Sequence, residues 1–212
     1  ALCDFAARHQ NVILELKSKS NNIRFFLQRD IPRNLIVTFS LNTPAIIANE
    51  EHLSASLDAR LAAAEALAAR GILVGFHLHP MVWYEGWQSD YGALFEQLLH
   101  RFDPSGVAMV SLGTLTFIKP VVKKLRSRGL RSKILQMPLA DANGKLSYPL
   151  QIKRELFKFA ADALLPWRER VFFYLCMEDA SLWREVLGHE YESNDAFEEA
   201  MKAAYFAKIR QR

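Results

Sequence analysis

The sequence lacks most of the features that would set it apart from an ordinary globular protein. It has two cysteines, Cys3 and Cys176, too few for a disulfide framework, and that usage fits a reducing compartment. No apolar run approaches the ~20 residues that cross a bilayer, and no basic-then-apolar segment opens the chain. A cytoplasmic protein without a membrane partner is therefore expected. Charge of neither sign comes in a block. The net charge of +4 and pI near 9.1 are compatible with nucleic acid without requiring it. Short-period repeats and low-complexity tracts are missing. So is an initial methionine: the chain opens on Ala1, inside what reads as an amphipathic helix over 1–10, and is expected to lack its natural beginning. What is present is 212 residues, 50% apolar and 24% charged, enough for one domain with a sizeable core.

The stretch that organises the rest is 75–87, from Gly75-Phe76-His77-Leu78-His79-Pro80 to Tyr84-Glu85-Gly86-Trp87. Val74, Phe76 and Leu78 alternate with Gly75, His77 and His79, so a strand sends both imidazoles to one face. Pro80, with no N–H for a ladder, is expected to end it. Further strands are predicted over 12–19, 35–41 and 107–114, and helices over 57–70 and 90–102, with Ser54 or Ser56 as the cap of the first. A basic helix follows Pro120, 140–149 reads as a loop, and a helix, a strand over 171–177 and more helices complete the chain. Strands alternating with helices imply a parallel sheet of right-handed βαβ units.

Each predicted strand has one apolar face and one that turns polar toward its C-terminal end. Glu15 and Lys17 with Lys19, then Thr38, Ser40 and Asn42, then His77 and His79, then Ser111 all lie on the second face. Parallel strands covered on both sides read as continuous apolar runs, so this face is expected to line a polar lumen. A sheet with one wet face is the plainer alternative, but crossover helices disfavour it over four strands. His77 and His79 could ligate a metal with Glu85, or serve as proton donor and substrate contact. Trp83, Tyr84 and Trp87 could stack on bases or plug the mouth of the lumen. Lys123, Lys124, Arg126, Arg128 and Arg131 could follow a phosphate backbone or form a solvated helix face. Cys176 reads as a buried structural thiol, and Trp183, Leu187 and Phe197 as ordinary helix core.

Several segments together resemble the spore photoproduct lyase family of radical S-adenosylmethionine enzymes. They are Lys19 after its strand, Phe39-Ser40-Leu41-Asn42, the run 51–60, Gly75-Phe76 with Pro80, and Tyr84-Glu85-Gly86-Trp87. Ser111-Leu112-Gly113-Thr114, Phe117-Ile118-Lys119-Pro120 and Tyr174-Leu175-Cys176-Met177-Glu178 fit the wider group, and the similarity is densest over 11–119. The resemblance implies an α/β fold, a partial parallel (βα) barrel over 1–138 with a C-terminal α/β accessory segment, 139–212, packed on it. It also implies S-adenosylmethionine and a [4Fe–4S] cluster, a 5′-deoxyadenosyl radical, and damaged DNA of the thymine-dimer type as partner and substrate. Lys19 would pair with the cofactor carboxylate, and Ser40 and Asn42 would hydrogen-bond the cofactor. His77 is the candidate catalytic residue; His79, Tyr84 and Lys119 are candidate substrate contacts.

The family's three cysteines at C-x3-C-x2-C spacing do not occur in this chain, nor do its first two strands with the hydrogen-returning cysteine. The chain is therefore expected to be a part of such an enzyme, inactive by itself, with its cluster ligands elsewhere and no metal site of its own. The spore enzyme is apolar where this chain has His77 and His79, and its DNA-gripping segment is replaced around 144–149. Two alternatives follow: the same radical chemistry on another substrate, or a cluster-free domain that binds a ligand or nucleic acid without catalysis.

Overall fold

The structure, a computed structural model, describes residues 1–129, 132–142 and 144–211. Its elements in chain order begin α1 Leu2–Arg8, β1 Leu14–Ser18, α2 Arg24–Leu27, β2 Leu35–Ser40, α3 Pro44–Glu50, α4 Leu57–Ala69 and β3 Leu73–Met81. They continue α5 Trp87–Arg101, β4 Val107–Thr114, β5 Thr116–Ile118, α6 Lys119–Ser127, β6 Ala140–Ala142 and β7 Lys145–Ser147. The last are α7 Leu150–Ala163, β8 Phe172–Leu175, α8 Ala180–Leu187 and α9 Asn194–Arg210. Strands β1-β2-β3-β4-β8 form an open, all-parallel sheet in that order. The architecture is the expected mixed α/β one with a parallel sheet, and it does not close.

One face of this sheet is apolar throughout. Val37, Phe39, Val74, Phe76, Leu78, Val110, Leu112 and Leu175 join the main core beneath the helices. Helix α5 meets it with Trp87, Tyr91, Leu94, Phe95 and Leu98, the spacing of a single helical stripe. Helix α4 presents Leu57, Leu61, Ala64 and Leu67 in the same way, but Arg60 occupies one position of the stripe and is fully buried. Ser56, not Ser54, caps α4, accepting from Ala59 N–H at 3.2 Å.

Three expectations need correction. Strand β3 does not end at Pro80: Met81 still pairs with Thr114 after a register shift beyond Leu78, and that irregularity spares the proline from having to donate to the ladder. Part of 140–149 is not loop, because β6 and β7 pair as antiparallel strands and β5 adds to them as a three-stranded sheet. Asn143, in the turn between them, lies outside the described residues. The tail is not only a layer packed on the barrel, since β8 pairs with β4 as the fifth strand of the main sheet. As alternation implied, the second face of the sheet is polar over the C-terminal half of its strands. Its N-terminal half carries Ile36, Leu73 and Met109, and α9 covers them with Tyr205, Met201 and Ile209. Gly75 has no room for a side chain at this level, because a Cβ would stand 2.9 Å from Met109 Sδ and 3.0 Å from Thr38 Cγ2.

Candidate functional site

Above α9 the second face carries Glu15, Thr38, Ser40, His77, Ser111 and Tyr174. The parallel register sets Thr38 beside Gly75, Ser40 beside His77, and His77 beside Ser111. Partners in register share a face, so alternation within each strand becomes convergence across strands. Two hydrogen-bonded groups result. Glu15 Oε1 receives the Thr38 hydroxyl at 2.8 Å and lies 2.7 Å from His77 Nε2. His79 Nε2 lies 2.6 Å from Ser111 Oγ. The two imidazoles meet edge to face, with ring centroids 5.2 Å apart.

Burial would by itself raise the Glu15 carboxyl pKa. Contacts with His77, Thr38 and Lys17 outweigh it and hold Glu15 below the usual carboxylate range. With Nε2 held by an ionised carboxylate, His77 has Nδ1 as its other polar atom, and that atom is buried without a partner among the described residues. His79 is driven the other way. Burial, reinforced by its neighbours Lys17 and His77, lowers its pKa to about 3, so it is neutral at ordinary pH. Gly113 makes room for its ring: a Cβ there would lie 3.0 Å from His79 Cδ2. Burial pushes the Tyr174 hydroxyl up to about 12, against a hydrogen bond with Ser111.

The proposed cofactor residues fare differently. Lys19, just past β1, is partly exposed and pairs with Glu51 at 2.8 Å. Glu51 also holds the buried Arg60 at 2.7 Å. The Arg60 guanidinium reaches on to Ser40 O and Ala55 O, each at 2.8 Å, and to Ser54 Oγ at 2.7 Å. Arg60 thus fixes the end of β2 and the loop that presents Lys19's partner. Asn42 stands apart from this group. It is fully buried, its amide donating to Pro80 O at 2.9 Å while its carbonyl accepts from Tyr91 Oη at 2.8 Å and Thr43 N at 3.0 Å. The structure gives Asn42 the task of tying two loops, not of meeting a cofactor.

Tyr84 is corrected on the same ground. Its hydroxyl sits between Thr43 Oγ1 at 2.6 Å and Asp90 Oδ2 at 2.7 Å, and the residue is buried, so it is not placed to stack on a base. Trp87 is likewise core, against Phe159 and Tyr91. Trp83 is half-buried, its N–H donating to Tyr148 Oη at 3.2 Å. Lys119 is exposed and pairs with Asp141 at 2.6 Å. Lys123, Lys124, Arg126 and Arg128 are exposed along and just beyond α6, while Arg131 lies outside the described residues. Glu85 is exposed on its loop, and among the described residues no group of three His, Cys, Asp or Glu side chains is placed to hold a metal. Cys176 is not a buried thiol. It is half-exposed at the lip of a cavity of about 370 Å³, lined also by His79, Gly113, Phe117, Lys145 and Met177.

Sequence reasoning missed Arg60 and Glu51 as the support of this site. The available signal was a lone arginine at an apolar position of the α4 stripe.

The fold and the site define a parallel α/β protein whose polar groups gather at the C-terminal ends of its strands, where such sheets build their sites. The family model described as spore photoproduct lyase matches residues 1–139, and the chain belongs to that family. A spore photoproduct lyase of Clostridium acetobutylicum is 34% identical over 83 residues, 32% of this chain and 25% of that protein. One from Geobacillus sp. is 29% identical over 98 residues, 45% of this chain and 29% of that protein. Among solved structures, a cysteine-to-alanine mutant of spore photoproduct lyase matches with a TM-score of 0.67 and 23% identity over 77% of this chain. A double mutant with bound AdoMet and dinucleoside spore photoproduct matches with a TM-score of 0.64 and 23% identity, again over 77% of this chain. These alignments take in 51% of each of those chains, so this chain spans about half their length. Among the described residues no helix is long and apolar enough to cross a membrane.

Proposed function

We propose that this chain forms the cofactor- and substrate-facing part of a radical S-adenosylmethionine lyase that repairs damaged DNA of the thymine-dimer type. The observation that carries the reading is the convergence of Glu15, Ser40, His77, His79 and Ser111 at one end of one sheet face, with Lys19 just past the end of β1, in a chain of this family. A solved relative binds both AdoMet and the dinucleoside lesion, which supports the same pair of ligands here.

Lys19 and Ser40 suit S-adenosylmethionine. The Lys19 ammonium is partly exposed and has N–H groups beyond the one facing Glu51, so it can take a ligand carboxylate. Ser40 supplies a hydroxyl beside His77, at the end of β2 that Arg60 fixes. When bound and given one electron by an iron–sulfur cluster, S-adenosylmethionine would release methionine and supply a 5′-deoxyadenosyl radical for hydrogen abstraction. The [4Fe–4S] cluster finds no ligand set among the described residues. The chain's own part is binding and orientation. Glu15 and Thr38 fix the His77 ring, and His77 is the catalytic candidate because it holds a proton at Nε2 against a carboxylate. Neutral His79, over the 370 Å³ cavity, offers hydrogen bonding without charge to a lesion base. Lys119 is available to a backbone phosphate at the expense of its exposed pair with Asp141.

Calorimetric titration of S-adenosylmethionine tests the pocket. Lys19→Ala together with Ser40→Ala removes one charge-assisted and one neutral hydrogen bond, so affinity falls about ten-fold or more. Unchanged affinity removes both assignments. Binding of irradiated duplex should weaken steeply with salt; equal affinity for undamaged duplex favours a non-catalytic binding domain instead.

A further inference from the structure

A second cavity, of about 440 Å³, shares Cys176 and Met177 in its lining with the His79 cavity. Met177 lines both. It is 70% exposed and holds a left-handed φ of +61°, a conformation that costs a non-glycine residue energy and persists where its surroundings require it. One wall of the cavity is aromatic. Trp183, Tyr191 and Phe197 meet pairwise at centroid distances of 5.5 to 5.6 Å and interplanar angles of 65° to 85°. Tyr174 extends the wall, 5.5 Å from Phe197. All four rings are partly buried, and Trp183, packed against the main core as expected, also lines the cavity.

The charges on this cavity are of one sign. Glu178, Glu190 and Glu192 line it, and no lysine or arginine does. Lys153 neutralises Glu178 at 2.7 Å, and Arg184 neutralises Glu190. Glu192 is exposed and has no ion-pair partner among the described residues. Aromatic faces attract cations through their quadrupole, and an unpaired carboxylate beside them adds to that attraction. With Glu178 and Glu190 already paired, Glu192 is the lining carboxylate left to meet a cation.

We propose that this cavity is a binding site for an alkylammonium group, such as a polyamine or a lysine side chain carries, with the rings as its wall and Glu192 as its counter-charge. The site does not depend on the radical chemistry proposed above.

The test is an NMR titration of the chain with spermidine, tetramethylammonium, a lysine-rich peptide and a thymidine dinucleotide. The chain has four tryptophans, so indole N–H signals are few, and Trp183→Phe identifies the one that matters. Saturable movement of the Trp183 signal with the amines, but not with the dinucleotide, is expected. Peptide and polyamine arms then tell a protein partner from a free metabolite. Glu192→Gln should weaken binding about two- to five-fold, and Trp183→Leu at least as much. The Glu192 substitution is on the surface, so the folded state survives it. A response to the dinucleotide equal to that of spermidine, or an amine response that Glu192→Gln leaves unchanged, overturns the proposal. So does a Trp183 signal that no amine moves. Loss of S-adenosylmethionine binding at Lys19 and Ser40 leaves this result untouched, so the two readings fail separately.

Discussion

Replacing Arg60 by methionine keeps the length and the apolar stem and removes every donor. The guanidinium is fully buried and gives hydrogen bonds of 2.7 to 2.8 Å to Ala55 O, Ser40 O, Glu51 Oε2 and Ser54 Oγ. Three neutral acceptors would lose a partner, each worth about 1 kcal/mol. Glu51, nearly buried, would keep only the half-exposed Lys19. Removing one partner of a buried ion pair costs about 3–5 kcal/mol, because the remaining charge stays desolvated. That range already contains much of the hydrogen-bond loss, so we expect a total of about 3–5 kcal/mol. In a chain of this size each kcal/mol lowers Tm by about 2–4 °C, giving a fall of about 6–20 °C. Calorimetric or circular-dichroism melts of Arg60→Met, Glu51→Gln and the double variant form a cycle with an expected coupling of about 1–3 kcal/mol. Lys19→Met should cost under about 1 kcal/mol, as half-exposed pairs do. An Arg60→Met melting point within about one degree of the parent, or strict additivity with Glu51→Gln, refutes the reasoning.

Two further outcomes follow from His79. Its folded pKa of about 3 lies below the unfolded value near 6.5, so the unfolded chain takes up the proton first. The stability this confers is complete above about pH 7 and is lost as pH falls toward 3, amounting to at most about 2 kcal/mol between about pH 7.5 and 5. Urea unfolding across that window should show the loss in the parent and its absence in His79→Asn; identical profiles reject the assignment. Glu15 contributes in the same direction only below its ordinary carboxylate range, so it does not confuse the comparison. Gly113→Ala puts a Cβ 3.0 Å from His79 Cδ2 and must shift the ring off its 2.6 Å contact with Ser111. A cost of about 1–3 kcal/mol is expected from urea unfolding, and a stabilised variant would contradict it.

Much of the sheet was legible because its signals are local. Strand β4 occupies the predicted 107–114 without a residue's difference, and His77 and His79 share a face as alternation requires. The short α3 was overlooked although its signs were present: Thr43 caps it, its side chain accepting from Ile46 N–H, with Pro44 at the first turn. The β6–β7 pairing leaves no sign in the sequence because three-residue strands are too short for alternation to register. Asn42 and Tyr84 looked like ligand contacts because polar residues beside a site and polar residues that tie its loops have the same composition. Only their partners tell them apart, Pro80 O and Tyr91 for the first, Thr43 and Asp90 for the second.

The sequence by itself determined the alternating strands, the parallel α/β class and the polarity of one sheet face, because side-chain period and helix spacing are set by neighbours along the chain. Tertiary structure decided what that face became. Helix α9 seals its N-terminal half with Tyr205, β8 joins as a fifth strand, and Arg60 reaches from α4 to hold Ser40 and Glu51 in place. These contacts join residues far apart in the sequence or on different elements, and nothing in local pattern says which distant group a buried donor will find.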